Sequence, residues 1–242
     1  MIKLNNSVNN IIIIGCGGVT SWLIAPLVKL LNGCEHQPNL VLVDGDTIEE
    51  RNLERQWFGE DDIGKNKASA MHEKNMASYE GVTTPLEQYF TDGAQMPVSG
   101  MSLFLGCADN HAARRAILST VDREGGWAII AGNEYTESEA YYYEARLRGS
   151  EADPRIYYPA ILTDNTGDPT RPAGCTGLAA IAAPQLVLAN FSAANHLLWL
   201  LYHHFVERPS NSGYLMEFMP VKTWNFGTKY QTTRLCDLKV GE

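Results

Sequence analysis

A glycine-rich turn follows the first apolar run of the sequence and has the composition of a phosphate-binding loop. Gly15, Gly17 and Gly18 come directly after the isoleucines of residues 11–14, and apolar residues at helical spacing follow from residue 19 to residue 31. Glycine lets the backbone approach a phosphate closely, and the free N–H groups at the start of the helix bind its charge. A tight turn without a ligand has the same composition. Thr20 replaces the third glycine of the dinucleotide fingerprint, which counts against NAD and FAD.

Polar side chains are concentrated after the second apolar run, residues 40–43. The segment 44–67 supplies carboxylate, carboxamide, guanidinium and ammonium groups from Asp44, Asp46, Asn52, Arg55, Gln56 and Lys67. An acid at the end of a second strand can accept hydrogen bonds from ribose hydroxyls, and Asp44 has that position. A solvated aspartate in a turn would look the same in isolation. The case for a nucleotide site therefore depends on the combination of these residues.

This combination resembles the nucleotide-site signature of the ThiF/MoeB and ubiquitin-activating enzyme family. The family has Asp-x-Asp, then Asn-Leu-x-Arg-Gln, then a lysine shortly after a glycine, and residues 44–46, 52–56 and 64–67 match these motifs in order. Its GxGG loop is matched by the glycine turn, and its Cys-x-Asp-Asn strand end by residues 107–110. The resemblance is clear over residues 10–131. The phrase GEDDIGKNKA and the chain length are most similar to the ThiF-family proteins of the PRTRC system.

The resemblance implies an adenylyltransferase that uses Mg-ATP to activate the C-terminal glycine of a small ubiquitin-like or sulfur-carrier protein. Attack of a carboxylate on the α-phosphate brings several negative charges together, so positioning and electrostatic stabilisation carry the catalysis. In this reading Arg55 holds phosphate oxygens, Asn52 adds a hydrogen bond, Lys67 places a charge near the triphosphate and Asp109 holds Mg²⁺. The implied nucleotide-binding set is Gly15, Gly17, Gly18, Asp44, Asp46, Asn52, Arg55, Gln56, Lys67 and Asp109.

Cys175 is the candidate nucleophile for a thioester step after adenylation, and completes a catalytic set with Arg55, Lys67 and Asp109. It lies in the small-residue sequence PAGCTGLAAIAAPQ, ahead of an apolar helix, where family members also place a cysteine. A helix N-terminus lowers the pKa of a nearby thiol and favours the thiolate nucleophile. An inert thiol in a turn is the alternative. Cys16 and Cys107 are expected to be small apolar fillers.

The order of apolar runs predicts a doubly wound, mainly parallel Rossmann-like α/β sheet with an antiparallel C-terminal extension. Strands are predicted at residues 11–14, 40–43, 102–107 and 127–131, an exposed strand at 140–147, and antiparallel strands within 214–235. Helices are predicted at residues 62–77, 110–120 and 182–205, and an aperiodic loop at 149–174. We interpret residues 1–242 as a single domain with a nucleotide-binding half (1–135) and a carrier-binding and dimerisation half (136–242).

Composition and charge restrict the partners of the chain. A net charge of −9 argues against nucleic acid and anionic membranes, which both require a basic face. No apolar run approaches the ~20 residues that span a bilayer, and no secretory signal is apparent, so a cytoplasmic location is expected. The resemblance favours a homodimer.

The chain departs from the family pattern in two ways. No CxxC zinc motif is present among the five cysteines. We also find no N-terminal helix with an arginine that could reach across a dimer. The second departure leaves a non-catalytic carrier-binding scaffold as an alternative to the enzyme, beside a NAD-dependent oxidoreductase of the same fold.

Overall fold

The computed structural model describes residues 2–93, 96–133, 137–166, 187–207 and 224–225. It contains a seven-stranded sheet and a separate two-stranded sheet. The strands are β1 (Lys3–Leu4), β2 (Asn10–Ile14), β3 (Asn39–Val43), β4 (Thr83–Leu86), β5 (Ser102–Gly106), β6 (Trp127–Asn133), β7 (Glu137–Glu144), β8 (Val206–Glu207) and β9 (Trp224–Asn225). The helices are α1 (Gly18–Asn32), α2 (Lys67–Asn75), α3 (His111–Glu124), α4 (Pro154–Tyr157), α5 (Ala160–Thr163) and α6 (Val187–Phe205).

The strand order of the large sheet is β4-β3-β2-β5-β6-β7-β9. Strands β2 to β6 pair in parallel, whereas β7 pairs antiparallel with both β6 and β9. After β2 the chain builds outward through β3 and β4, and it then returns to the other side of β2 with β5. The gap between the ends of β2 and β5 is therefore the topological switch point, where ligands bind in doubly wound sheets. The predicted Rossmann-like fold class is confirmed.

The isoleucines of β2 are buried on both faces of the sheet. Ile11 and Ile13 belong to the core on the side of α1 and α6, while Ile12 and Ile14 belong to the core on the side of α3. Because successive side chains of a strand point to opposite faces, a strand covered on both faces needs an unbroken apolar run. This explains why the central strands could be read directly from the sequence.

Several predicted elements need correction. The strand predicted as exposed at residues 140–147 ends at Glu144 and is largely buried, since Tyr143 is 0% and Tyr141 5% exposed, whereas residues 145–147 form a 3₁₀ turn. The helix predicted at residues 62–77 begins only at Lys67, because the Asn66 side chain accepts hydrogen bonds from the N–H groups of Ala68 and Ser69 and caps the helix there.

The segment after β7 is also more ordered than the sequence indicated. The predicted loop at residues 149–174 contains the short helices α4 and α5 in its described part. Arg155 connects it to α3 through an ion pair with Asp122 (2.7 Å) and also pairs with Asp153 of the same segment (2.8 Å). Of the predicted C-terminal strands, only the β9 residues are described. No helix within the described ranges is long and apolar enough to span a bilayer.

Candidate functional site

A cleft of about 640 Å³ opens at the carboxyl end of the parallel strands, over the switch point. It is lined by every residue of the predicted nucleotide-binding set, from the glycine turn to Asp109. These residues come from the ends of β2, β3 and β5, from the segment between β3 and α2, and from the first residue of α2. The fold therefore brings together motifs that lie far apart in the sequence.

The glycine turn is shaped by close backbone contact with the end of β5. Gly15 has a φ of +90°, and a Cβ at this position would lie 2.7 Å from the backbone nitrogen of Ala108. Gly17 precedes α1 without a side-chain cap, and the first turn of the helix carries no acidic residue. Because Gly17, Gly18 and Val19 line the cleft, the positive end of α1 faces it. This is the arrangement that binds a phosphate group.

Asp44 connects the glycine turn to the end of β3. One carboxylate oxygen accepts a hydrogen bond from the Cys16 N–H (2.6 Å) and the other accepts one from the Asp46 N–H (2.8 Å). Burial raises the pKa of this carboxyl group, while the charge of Lys67 and the two N–H donors act in the opposite direction. Asp44 thus stabilises the glycine turn. Its carboxylate oxygens have further lone pairs, which can accept hydrogen bonds from a ligand.

Asp46 and Lys67 form an ion pair at the N-terminus of α2. The Lys67 ammonium donates to Asp46 over 2.8 Å, and its side chain is only 11% exposed. Burial acts to raise the pKa of Asp46, but the hydrogen bonds from Lys67 and Tyr89 outweigh it and the pKa is lowered. The cation of Lys67 is therefore held in one place beside the cleft.

The Asn-Leu-x-Arg-Gln motif begins at the last residue of a short 3₁₀ turn, Glu50–Asn52, and continues into the residues after it. Asn52 is buried, and its side-chain oxygen accepts a hydrogen bond from the Glu49 N–H (2.9 Å). Gln56 lies against the glycine turn, with its amide nitrogen 3.5 Å from the position of a Cβ on Gly17. The Gln56 side-chain oxygen is buried and has no hydrogen-bond partner among the residues that the structure describes. Arg55 lines the cleft and forms no ion pair with any residue that the structure describes.

The surroundings of Asp109 are compatible with a magnesium ion that takes most of its ligands from phosphates and water. Its side chain is exposed at the end of β5, lines the cleft and makes no ion pair within the described ranges. In that part of the chain no three acidic, histidine or cysteine side chains are grouped as a metal cage. Mg²⁺ commonly takes only one or two carboxylates, together with phosphate oxygens and water. The donor set is therefore compatible with Mg²⁺ at Asp109 once phosphates complete its coordination.

Other residues of the cleft were not predicted from the sequence. Tyr89 lies beyond the carboxyl end of β4, and Asn133 ends β6. The side chain of Asn133 donates to Asn190 of α6 (2.9 Å), whose buried carboxamide covers Gly18 so closely that a Cβ there would lie 2.5 Å from it. The rule that ligands meet the carboxyl ends of parallel strands could have indicated Asn133. Tyr89 could not be found in this way, because β4 was not predicted.

The described thiols do not suit nucleophilic chemistry. Cys16, Cys34 and Cys107 are free and buried. Burial raises the pKa of Cys16 well above its usual value and that of Cys107 to about 12. Cys16 and Cys107, of which only Cys107 lines the cleft, are therefore buried, protonated fillers, as predicted. Cys175 lies outside the described residues, and its role stays a prediction.

Fold and cleft together define a doubly wound α/β protein with a polar cleft at its switch point. The model of the ThiF family matches residues 1–234. The chain belongs to the ThiF family. Comparison with curated proteins found no significant match.

Solved structures of similar fold include PaaA and Escherichia coli MccB. The PaaA structure has a TM-score of 0.56 and 19% identity, covering 93% of this chain and 62% of PaaA. MccB with ATP has a TM-score of 0.55 and 21% identity, covering 82% of this chain and 56% of MccB. MccB with AMPCPP and MccA has a TM-score of 0.52 and 19% identity. The chain thus spans about three fifths of the length of these neighbours.

Proposed function

We propose that this protein binds Mg-ATP and adenylates the C-terminal carboxylate of a polypeptide substrate. The observation that carries the proposal is the convergence of all the predicted nucleotide-site motifs on one cleft at the switch point. Family membership and the ATP in the MccB structure support the same conclusion.

The reaction makes one bond and breaks another at the α-phosphorus. A carboxylate oxygen of the substrate attacks the α-phosphate, an acyl-adenylate forms, and pyrophosphate leaves with the electron pair of the broken P–O bond. Magnesium, when bound at Asp109, would offset the charge of the phosphates. The uncapped N–H groups of α1, the guanidinium of Arg55 and the ammonium of Lys67 would hold phosphate oxygens, while Asp44 would accept hydrogen bonds from the ribose. Catalysis then rests on charge placement and needs no general base, because the attacking carboxylate is ionised at neutral pH.

The substrate in this proposal is a small ubiquitin-like or sulfur-carrier protein that ends in glycine. It meets the site from the half formed by residues 136–242, and residues 1–135 hold the nucleotide. MccA, which is present with AMPCPP in one MccB structure, supports a polypeptide as the second substrate. Assignment to the PRTRC branch of the family belongs to the same proposal.

We further propose that the Cys175 thiolate attacks the acyl carbon of the adenylate, so that a thioester forms, the bond to AMP breaks and AMP leaves. The described thiols are buried, and burial raises the pKa of Cys16 and Cys107, which supports a nucleophilic cysteine elsewhere in the chain.

We also propose that the protein forms a homodimer. The exposed apolar side chains Val187, Leu188 and Phe191 on α6 support an interface there. Exposed Trp57 extends this surface, since Phe191 and Trp57 both pack against Trp22.

Titration calorimetry with Mg-ATP, and separately with NAD, tests the proposal. We expect Mg-ATP to bind to the wild-type protein, Arg55→Ala to weaken that binding at least about tenfold, and NAD to give no response. Arg51→Ala is the matched control, because Arg51 also borders the cleft but is already paired with Glu49. A preference for NAD would favour the oxidoreductase. Binding of ATP without ATP–pyrophosphate exchange in the presence of carrier would favour the scaffold.

A further inference from the structure

Tyr89 contacts the charged pair beside the cleft without belonging to any of the sequence motifs. Its hydroxyl group donates a hydrogen bond to one oxygen of Asp46 (2.7 Å), and Lys67 donates to the other oxygen (2.8 Å). The ring of Tyr89 covers Gly45 so closely that a Cβ there would lie 2.7 Å from it. Tyr89 is thus fixed against the end of β3 and also lines the cleft.

Both oxygens of Asp46 are therefore engaged by groups that fix their direction. The Asp46 side chain is 47% exposed, so without the hydroxyl group it could rotate and carry Lys67 with it. A free lysine side chain has many rotamers, and a ligand that uses its charge must otherwise overcome the entropy of fixing one of them. The hydrogen bond from Tyr89 also reduces the charge density of a carboxylate that borders the path of an anionic ligand.

We propose that Tyr89 is a positioning residue, which holds Asp46 so that Lys67 presents its ammonium group to the triphosphate of ATP. The inference rests on the proposed function, because it requires ATP in this cleft. Tyr89 contributes through Lys67 and not through a contact of its hydroxyl group with the nucleotide.

A double-mutant cycle in ATP affinity tests this coupling. Tyr89→Phe keeps the ring over Gly45 and removes only the hydroxyl group. We expect Tyr89→Phe to weaken Mg-ATP binding about fivefold in the wild-type background and to have no further effect in a Lys67→Gln background. Tyr79→Phe is the matched control, since it removes a hydrogen bond to the Pro38 carbonyl away from the cleft and should leave ATP affinity unchanged.

The outcomes separate the two proposals. Wild-type protein that does not bind ATP would overturn the proposed function and this inference together. ATP binding that is insensitive to Tyr89→Phe would overturn the inference alone. Equal losses in the wild-type and Lys67→Gln backgrounds would also overturn it, because the hydroxyl group would then act independently of Lys67. Thermal unfolding of each variant verifies that the fold is kept.

Discussion

Gly15 and Ala108 lie so close at the switch point that a Cβ on Gly15 would stand 2.7 Å from the Ala108 nitrogen. Gly15 follows the end of β2, and Ala108 follows the end of the neighbouring strand β5. The preceding residues are joined by a hydrogen bond from the Cys107 N–H to the Ile14 carbonyl (2.8 Å). The floor of the cleft is therefore made of backbone, and any side chain at position 15 would separate the glycine turn from the end of β5.

Gly15→Ala should lose both stability and ATP binding. Gly64→Ala is a matched control, since Gly64 has a similar φ of +85° but nothing within 4 Å of its Cβ position. The control should cost about 1 kcal/mol for the left-handed backbone alone, and Gly15→Ala clearly more. Chemical denaturation measures both free energies of unfolding. Equal losses for the two variants would show that the contact with Ala108 is unimportant.

Asp109→Ala should abolish Mg²⁺-dependent ATP–pyrophosphate exchange and leave the melting temperature unchanged. The reason is that this carboxylate is exposed and makes no ion pair within the described ranges, so it contributes little to the fold. Asp61→Ala, at another exposed acid, serves as the control and should retain activity. If Asp109→Ala exchanged pyrophosphate at the wild-type rate, the magnesium assignment would be wrong.

Cys175→Ala should spare adenylation and block only a thioester between protein and carrier. A nonreducing gel that resolves the carrier adduct, read beside pyrophosphate exchange, measures the two steps separately. Cys236→Ala is the control, as it removes the other cysteine outside the described residues. Loss of both steps in Cys175→Ala would indicate a structural cysteine, whereas an adduct that persists would exclude it as the nucleophile.

Gly18→Ala should be destabilising in the wild-type protein and better tolerated when Asn190 is also alanine. The three atoms nearest to a Cβ on Gly18 are all carboxamide atoms of Asn190, which the second substitution removes. Free energies of unfolding for both single variants and the double variant give the coupling, expected at about 1 kcal/mol or more. Additive effects would contradict the observed packing.

Protonation of His204 should destabilise the fold as the pH falls. Burial, followed by the charge of neighbouring His203, lowers the pKa of His204 to about 4, and its ring stacks on Tyr142 at 3.9 Å. Because the unfolded chain binds this proton near pH 6.5, stability is lost between about pH 6.5 and pH 4. His204→Phe should keep the stacking and remove part of that loss. Melting temperatures of the wild-type protein and of His204→Phe are measured across this pH range. If His204 has no role, both melting temperatures will fall in parallel as the pH falls.

Local signals in the sequence were sufficient for the centre of the fold and for the motif residues. Strands β2, β3, β5 and β6 are covered on both faces, so each needs a continuous apolar run, and such runs can be read without a structure. The motif residues were assigned from their resemblance to the family's motifs, because residue types and their order along the chain can be read without a structure.

Strand β4 illustrates what the sequence did not reveal. It lies at the edge of the sheet, all of its residues are only half-buried, and it contains Pro85, which an edge strand tolerates. No apolar run or alternation therefore distinguishes Thr83–Leu86, and Tyr89 beyond it could not be assigned to the cleft.

By itself the sequence determined the class of fold, the glycine turn and the identities of the polar groups near it. Only the tertiary structure decided which of these groups are paired, as Asp46 is with Lys67 and Tyr89, and which distant residues support the loop, as Asn133 and Asn190 do. The physical reason is that a strand or helix is encoded by neighbours in sequence, whereas a hydrogen bond across the cleft depends on strand order and helix packing.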